Sequence, residues 1–300
     1  MLPANVKYDR DTKLLGLLGY PLGFSLTPLI QNTLYRAADI NAVFLPMEVE
    51  DTPENLDRFF DAVRILNMRG FISTMPYKTK MLPYMDVVTE ESKVFNCINA
   101  VKYVDGKFHG AGFDGYGFCQ SIEDTGVKLE GREALILGAG GICGPVAAEM
   151  ARRGVTSFTI LNRTEEKAKK LAQLLQDYTG KPAYGGPLTP EKLEHAAKKA
   201  GVVAQCTSAG IHGSGTEFPH LDFLKMLGKD TVVMDALYNP PQTAFLKAAA
   251  ECGLKTVNGM GMLSNQASIL IDFFFGAQLP NGKEDALRAI DFAMERKGMR

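Results

Sequence analysis

At 300 residues the chain is longer than a single hydrophobic core usually supports, so two domains are expected. Its 33 Lys and Arg face 34 Asp and Glu, and the formal net charge of -1 supplies no basic field, which excludes nucleic acid as an expected partner. Hydrophobic residues at 46% and charged residues at 22% are ordinary globular usage, which leaves disorder no role and points to a small-molecule partner.

The first residues carry no basic region ahead of a long apolar segment, and no run reaches the roughly 20 apolar residues that span a bilayer. Neither secretion nor membrane insertion is expected. The five cysteines, Cys97, Cys119, Cys143, Cys206 and Cys252, are an odd number without a CxxC pair, which fits a reducing, cytoplasmic compartment. The histidines at 109, 195, 212 and 220 show no HxxxH or HExxH spacing, so no metal site is expected.

Apolar runs open the chain: "LLGLLG" at 14–19, "AVFLPMEV" at 42–49 and "RGFIST" at 69–74, each followed by a segment with helical apolar spacing. That alternation predicts βαβ units and a parallel sheet. Thr52-Pro53-Glu54 and Thr189-Pro190-Glu191 mark helix starts, with Thr as cap and Pro in the first turn. Asp105-Gly106, inside the alternating stretch "AVKYVDGKFHGAG", predicts a hairpin that forms an antiparallel edge. From residue 133 the rhythm restarts with "EALILGAGGICGP", "SFTILNRT", "GVVAQCTSAG" and "TVVMDALYNPP", a second sheet. Two helices close the chain, within 261–278 and 283–297, the last with 286, 287, 290 and 294 on one apolar face.

The turn Gly138-Ala139-Gly140-Gly141-Ile142-Cys143-Gly144 follows the strand at 134–137 and matches GxGxxG except that its last glycine comes one place late. A tight turn at a helix N-terminus lets backbone approach a pyrophosphate closely. The next strand ends in Asn162-Arg163-Thr164 rather than in the Asp or Glu that bonds an NAD ribose. Arg163, with Thr164 and Lys167 within a helical turn, suits a 2′-phosphate, so NADP is favoured over NAD. Glu165 and Glu166 oppose this mildly, unless they only serve as an acidic first helical turn.

Other polar groups stand where strands end, the usual place for ligands in open α/β sheets. Lys78 follows Pro76 just after an apolar strand, and Asp114 sits between glycines at the head of a helix. Lys80 reads as a surface charge, Asp114 also suits a helix cap, and Asn99 heads the hairpin. No GxSxG nucleophile is present, which counts against a hydrolase.

The ordered stretches "GYPLGFSLTPLIQN", "RGFISTMPYK", "NCINAV", "GFDGYG", "LGAGGI", "LNRT", "DALYNPPQTAFL" and "GMGMLSNQA" together resemble the shikimate dehydrogenase family, including its quinate/shikimate branch, over nearly the whole chain. The resemblance implies an α/β fold with an N-terminal substrate-binding domain, residues 1–113 with the returning helices 264–300, and a Rossmann-like NADP-binding domain at 114–263. It implies NADP-dependent reversible reduction of 3-dehydroshikimate to shikimate, a step of aromatic amino-acid biosynthesis. Lys78 and Asp114 are then the catalytic pair, while Ser25, Thr27, Thr74, Asn99, Tyr238 and Gln266 contact substrate. Gly138, Ala139, Gly140, Gly141, Ile142, Asn162, Arg163, Thr164, Lys167, Thr207 and Gly259 hold the cofactor.

Chemistry supports the pair without choosing its formal base: an amine can accept the hydroxyl proton, yet Asp114 raises the pKa that desolvation of Lys78 lowers. The sequence departs from the family pattern at Phe24-Ser25-Leu26-Thr27-Pro28, where the family usually has His-Ser-x-Ser-Pro, and Thr in that place accompanies quinate as substrate. Ile72 and Gly112-Phe113 also replace polar residues of the pattern, which makes the pocket edge more apolar. Quinate or a related cyclohexane carboxylate, with NAD as a possible cofactor, is the alternative substrate reading. A metabolite sensor without turnover is a reading from another class, which retention of both Lys78 and Asp114 opposes. The chain is expected to be a monomer or homodimer.

Overall fold

A computed structural model describes residues 8–23, 25–211 and 215–298. Phe24 and His212 lie outside the described residues. The chain divides into two compact units, one running to Phe113 and resuming at Gln266, the other Asp114–Asn265.

The first unit begins with β1 (Lys13–Gly19), α1 (Thr27–Ala37), β2 (Ala42–Glu48), α2 (Pro53–Ile65) and β3 (Gly70–Ser73). β1 pairs in parallel with both β2 and β3. Thr52 caps α2 by accepting from the Asn55 N–H at 3.2 Å, with Pro53 in the first turn as the sequence predicts. No helix follows β3 at once. Pro76 and Pro83 allow only two 3₁₀ turns, Tyr77–Thr79 and Leu82–Tyr84, before β4 (Val87–Val88) and the five-residue α3 (Glu90–Val94).

β5 (Ala100–Val104) and β6 (Lys107–Ala111) form the hairpin around Asp105-Gly106, whose φ values of 51° and 72° are those of the tight turn this dipeptide favours. The hairpin is not the sheet edge. The strand order is β2-β1-β3-β5-β6-β4, because the two-residue β4 adds in parallel beyond β6. β5 runs antiparallel to β3, with Ile72 opposite Ala100. The core on one face is aromatic: Phe60 meets Phe71 and Phe108 edge-on and stacks on Tyr84 at 4.0 Å.

The second unit comprises α4 (Asp114–Glu123), β7 (Glu133–Leu137), α5 (Cys143–Arg152), β8 (Ser157–Asn162), α6 (Glu165–Thr179), β9 (Ala183–Pro187), α7 (Pro190–Ala197), β10 (Val202–Gln205), β11 (Val232–Asp235), α8 (Ala244–Glu251) and β12 (Lys255–Val257). Its six strands are all parallel in the order β12-β11-β10-β7-β8-β9. Ala134, Leu135, Ile136 and Leu137 are buried in succession, as in a strand covered on both faces. Thr189 caps α7 through the Lys192 N–H.

α9 (Gly259–Phe275) starts in the second unit and ends in the first, where α10 (Lys283–Arg296) packs on α1. The α10 face differs from the predicted one. Ala286, Ala289, Ile290, Ala293 and Met294 are buried, whereas Leu287 is 44% exposed, because it lies at the outer margin of that stripe, about 20° beyond Met294. No helix among the described residues is long and apolar enough to cross a membrane.

Candidate active site

In the first unit, five predicted residues follow or precede the central strands at one end of the sheet. β1 and β3 end there and β5, being antiparallel, begins there, so Asn99 enters beside the residues that leave β3. The Ser73 N–H donates to the Asn99 carbonyl at 2.9 Å, and the Thr74 N–H donates to the Leu18 carbonyl at 2.9 Å. Asn99 is 2% exposed, and its Oδ1 accepts from the Phe113 N–H at 2.9 Å. Gly19 lets the chains close up, since a Cβ there would run into the Leu22 and Thr74 side chains.

Lys78 sits in a fixed turn. Its buried neighbour Tyr77 donates through its hydroxyl to the Val49 carbonyl at 2.6 Å, and the Tyr77 N–H donates to the Thr74 carbonyl at 2.8 Å. The Lys78 carbonyl accepts from the Ile98 N–H at 2.9 Å, which ties the turn to the residue before Asn99. Lys80, two residues on, is engaged by both Asp51 carboxylate oxygens at 2.5 and 2.7 Å, in keeping with a surface charge.

Ser25 and Thr27 lie at the start of α1, which has no side-chain cap because Leu26 holds the capping position. The Ser25 hydroxyl donates to Thr27 Oγ1 at 3.3 Å and accepts from the Thr27 N–H at 3.4 Å. Two hydroxyls at the positive end of a helix suit a carboxylate. Thr27 adds a methyl group beside them. Gln266 is half-buried on the part of α9 that belongs to this unit.

In the second unit the strand order reverses after β7, so β7 and β10 are neighbours whose following loops leave in opposite directions. The glycine-rich turn leaves β7 there. Gly138 has φ 114°, in the region that only glycine adopts readily, and its N–H donates to the Leu161 carbonyl at 2.8 Å. A Cβ on Gly138 would lie 3.1 Å from Thr207 Cγ2, so the first loop is shaped against the loop after β10. Gly140 faces open space, and Ile142 caps α5 with no side-chain bond. Ala139 and Gly141 complete an uncapped helix N-terminus. Gly144, the late glycine, is buried inside α5.

After β8, Asn162 Nδ2 donates to the Thr164 carbonyl at 3.0 Å, which holds the turn that presents Arg163. Arg163, Thr164 and Lys167 are exposed. The two carboxylates that oppose a phosphate here are engaged elsewhere: Lys169 meets Glu165 at 3.0 Å and Glu166 at 3.3 Å. The hydrogen bonds that the Lys169 ammonium donates to Glu165 and Glu166 hold it above its ordinary pKa. This i,i+4 and i,i+3 pairing is readable from sequence spacing.

Asp114 is the first residue of α4 and is 1% exposed. Tyr238 is half-buried in the loop after β11, and Gly259 opens α9 with its N–H donating to the Leu237 carbonyl at 2.8 Å. A Cβ on Gly259 would collide with the Ala236 carbonyl.

The sequence reading passed over Gln205 and Asp235, the last residues of β10 and β11, both fully buried. Their signal was a polar residue closing each of two apolar runs, "VVAQ" and "VVMD". Burial pushes the Asp235 carboxyl up from 3.8 to about 6, against the opposing effect of hydrogen bonds from the Leu237 N–H, Thr243 and Gln205. The neighbouring titratable group, the Cys206 thiol, is held well above its ordinary pKa by its contact with Cys143 and by burial. With its folded pKa raised, Asp235 contributes most to stability below its unfolded pKa, and that contribution is lost as pH rises through about 6. Asp235→Asn is therefore expected to gain on wild type by up to about 3 kcal/mol in unfolding free energy between acidic and mildly basic pH. Parallel melting curves across that range check it, and a pH-independent difference between the two proteins would rule it out.

A family model described as the shikimate dehydrogenase substrate binding domain matches residues 17–101, and one described as shikimate / quinate 5-dehydrogenase matches residues 120–212. A shikimate dehydrogenase (NADP(+)) from Alkaliphilus metalliredigens is 35% identical over 91% of this chain and 95% of its own. The crystal structure of shikimate 5-dehydrogenase from Listeria monocytogenes with shikimate and NAD aligns at a TM-score of 0.85 and 26% identity, over 98% of this chain and 99% of that one. Quinate dehydrogenase from Corynebacterium glutamicum with NAD aligns at 0.79 and 27% identity, over 92% and 99%. The two model matches follow the two sheets in order, and the curated likeness spans nearly the full length of both chains. The chain belongs to the shikimate dehydrogenase family.

Proposed function

We propose that the protein catalyses the reversible, NADP-dependent reduction of 3-dehydroshikimate to shikimate in the cytoplasm, with the first unit taking substrate and the second taking cofactor. The observation that carries this is the convergence of Thr74, Lys78 and Asn99 at one end of the central strands β3 and β5 of the first unit, where β1 also delivers the chain to Ser25 and Thr27.

The second unit fits a dinucleotide. The left-handed Gly138, the open space at Gly140 and the uncapped start of α5 form a cradle that side chains would fill. Gly138, Ala139, Gly140, Gly141 and Ile142 would take the pyrophosphate, with Thr207 and Gly259 lining the neighbouring loops. Asn162, Arg163, Thr164 and Lys167 would take the 2′-phosphate, with Glu165 and Glu166 both paired to Lys169, which offsets one of their two charges. When bound, NADP supplies or accepts the hydride.

The chain's own groups do the rest. Ser25 and Thr27 anchor the carboxylate at the α1 N-terminus, Thr74, Asn99 and Gln266 hold ring hydroxyls, and Tyr238 is a further substrate contact that the family resemblance implies. Lys78 moves the proton at the oxygen undergoing oxidation or reduction, and Asp114 is the second member of the proposed catalytic pair.

The Thr27 methyl group beside the carboxylate site favours a second reading, in which quinate is also a substrate. The test is kcat/KM for shikimate and quinate, each with NADP and with NAD. Shikimate with NADP is expected to lead by at least about tenfold. A lead for quinate would move the assignment to the second reading, and no reduction of either cofactor with either acid would leave a protein that binds without turnover.

A further inference from the structure

Gln205 and Asp235 stand side by side, paired in register as the final residues of β10 and β11. Gln205 Nε2 donates to Asp235 Oδ1 at 3.4 Å. From this pair, bonds run outward into the two loops that follow. Gln205 Oε1 accepts from the Thr207 N–H at 2.5 Å, and its Nε2 donates to the Ala209 carbonyl at 3.1 Å. Asp235 Oδ1 accepts from the Leu237 N–H at 3.0 Å, and Oδ2 accepts from the Thr243 hydroxyl at 2.7 Å. Thr243 in turn caps α8 through the Leu246 N–H at 3.3 Å, and the Leu237 carbonyl receives the Gly259 N–H.

Two buried polar side chains thus set the backbone of 206–210, of 237–243 and of the start of α9. Those segments carry Thr207, Tyr238 and Gly259. A carboxylate in a fully buried strand end is costly, and an apolar pair would fill the same space more cheaply if packing were its only task. A fully satisfied polar network gives what apolar packing cannot, a single fixed conformation for the segments bonded to it.

We infer that Gln205 and Asp235 are positioning residues that couple the loops after β10 and β11, so that the cofactor-side backbone is set as one piece. The inference rests on the proposed NADP site for its kinetic consequence, and on the hydrogen bonds alone for the coupling.

The test uses the full-length protein. Gln205→Met keeps the volume but removes the side-chain bonds of residue 205 to Thr207 and Ala209. It is expected to raise the NADP dissociation constant by about tenfold, with a smaller rise in KM for shikimate, because Tyr238 alone of the proposed substrate contacts lies on the coupled loops. Backbone hydrogen exchange is expected to accelerate in 237–243 as well as in 206–210, because the change reaches Asp235. Thr243→Ser retains both hydroxyl bonds and is expected to match wild type, whereas Thr243→Val is expected to accelerate exchange in both loops.

Faster exchange confined to 206–210 would overturn the coupling. An unchanged NADP dissociation constant, or a uniform loss in which binding and turnover fall together with the melting temperature, would overturn the positioning role. If Thr243→Val does not fold, Gln205→Met alone decides. If wild type binds NADP but turns over neither shikimate nor quinate, the functional reading fails, while exchange and NADP binding still decide the inference.

Discussion

Lys78→Ala is expected to lower kcat by about 10²- to 10⁴-fold while leaving KM for the substrate nearly unchanged. The amine is assigned to proton transfer, and the carboxylate and ring hydroxyls are assigned to other groups, so binding should survive its loss. The scaffold should survive too: Tyr77 is locked to Val49 through its hydroxyl, and the Lys78 position is held by its backbone carbonyl. Lys78→Arg separates charge from proton transfer, because a guanidinium keeps its positive charge but does not give up its proton near neutrality. A loss in Lys78→Arg equal to that in Lys78→Ala marks proton transfer, and recovery in Lys78→Arg marks electrostatics. Steady-state kinetics with both variants provide the check, and near-wild-type kcat in Lys78→Ala would falsify the role.

Arg163→Ala is expected to raise KM for NADP and erase most of the preference over NAD, by about ten- to a hundredfold, the worth of one or two bonds to a charged group. NAD, which lacks the 2′-phosphate, should be affected little. Lys169→Ala provides the second arm: it leaves Arg163 in place but releases Glu165 and Glu166, whose free charges should also weaken NADP binding. The ratio of kcat/KM for the two cofactors measures both effects. An unchanged ratio in Arg163→Ala removes that residue from cofactor choice.

Local chemistry made much of the fold legible. Thr52 and Thr189 cap helices where Thr-Pro-Glu marks them, and Asp105-Gly106 turns the hairpin, because these devices act within a few residues. Of the strands of the second sheet that read clearly, β7, β10 and β11 carry short apolar runs whose residues are buried in succession. β9 did not read as a strand because Gly185, Gly186 and Pro187 look like a loop, and its place at the edge of the sheet tolerates them. β12 has only three residues, too few for a period. Leu287 failed because helix phase alone does not say where a neighbour's surface ends.

The site divided in the same way. The residues of the glycine turn are contiguous in sequence, and Arg163 follows the end of the next strand at a recognisable spacing. Gln205 and Asp235 are partners across two strands, and nothing in the segment between them announces that they meet.

The antiparallel course of β5 has one further consequence. Because the chain enters β5 at Asn99 and leaves it at Val104, the Asp105-Gly106 turn lies at the far end of the sheet from the residues assigned to substrate. A Cβ on Gly106 meets no neighbour. That turn is accordingly an attachment point, where an inserted tag, dye or tether should leave turnover intact and let the working enzyme be followed or immobilised.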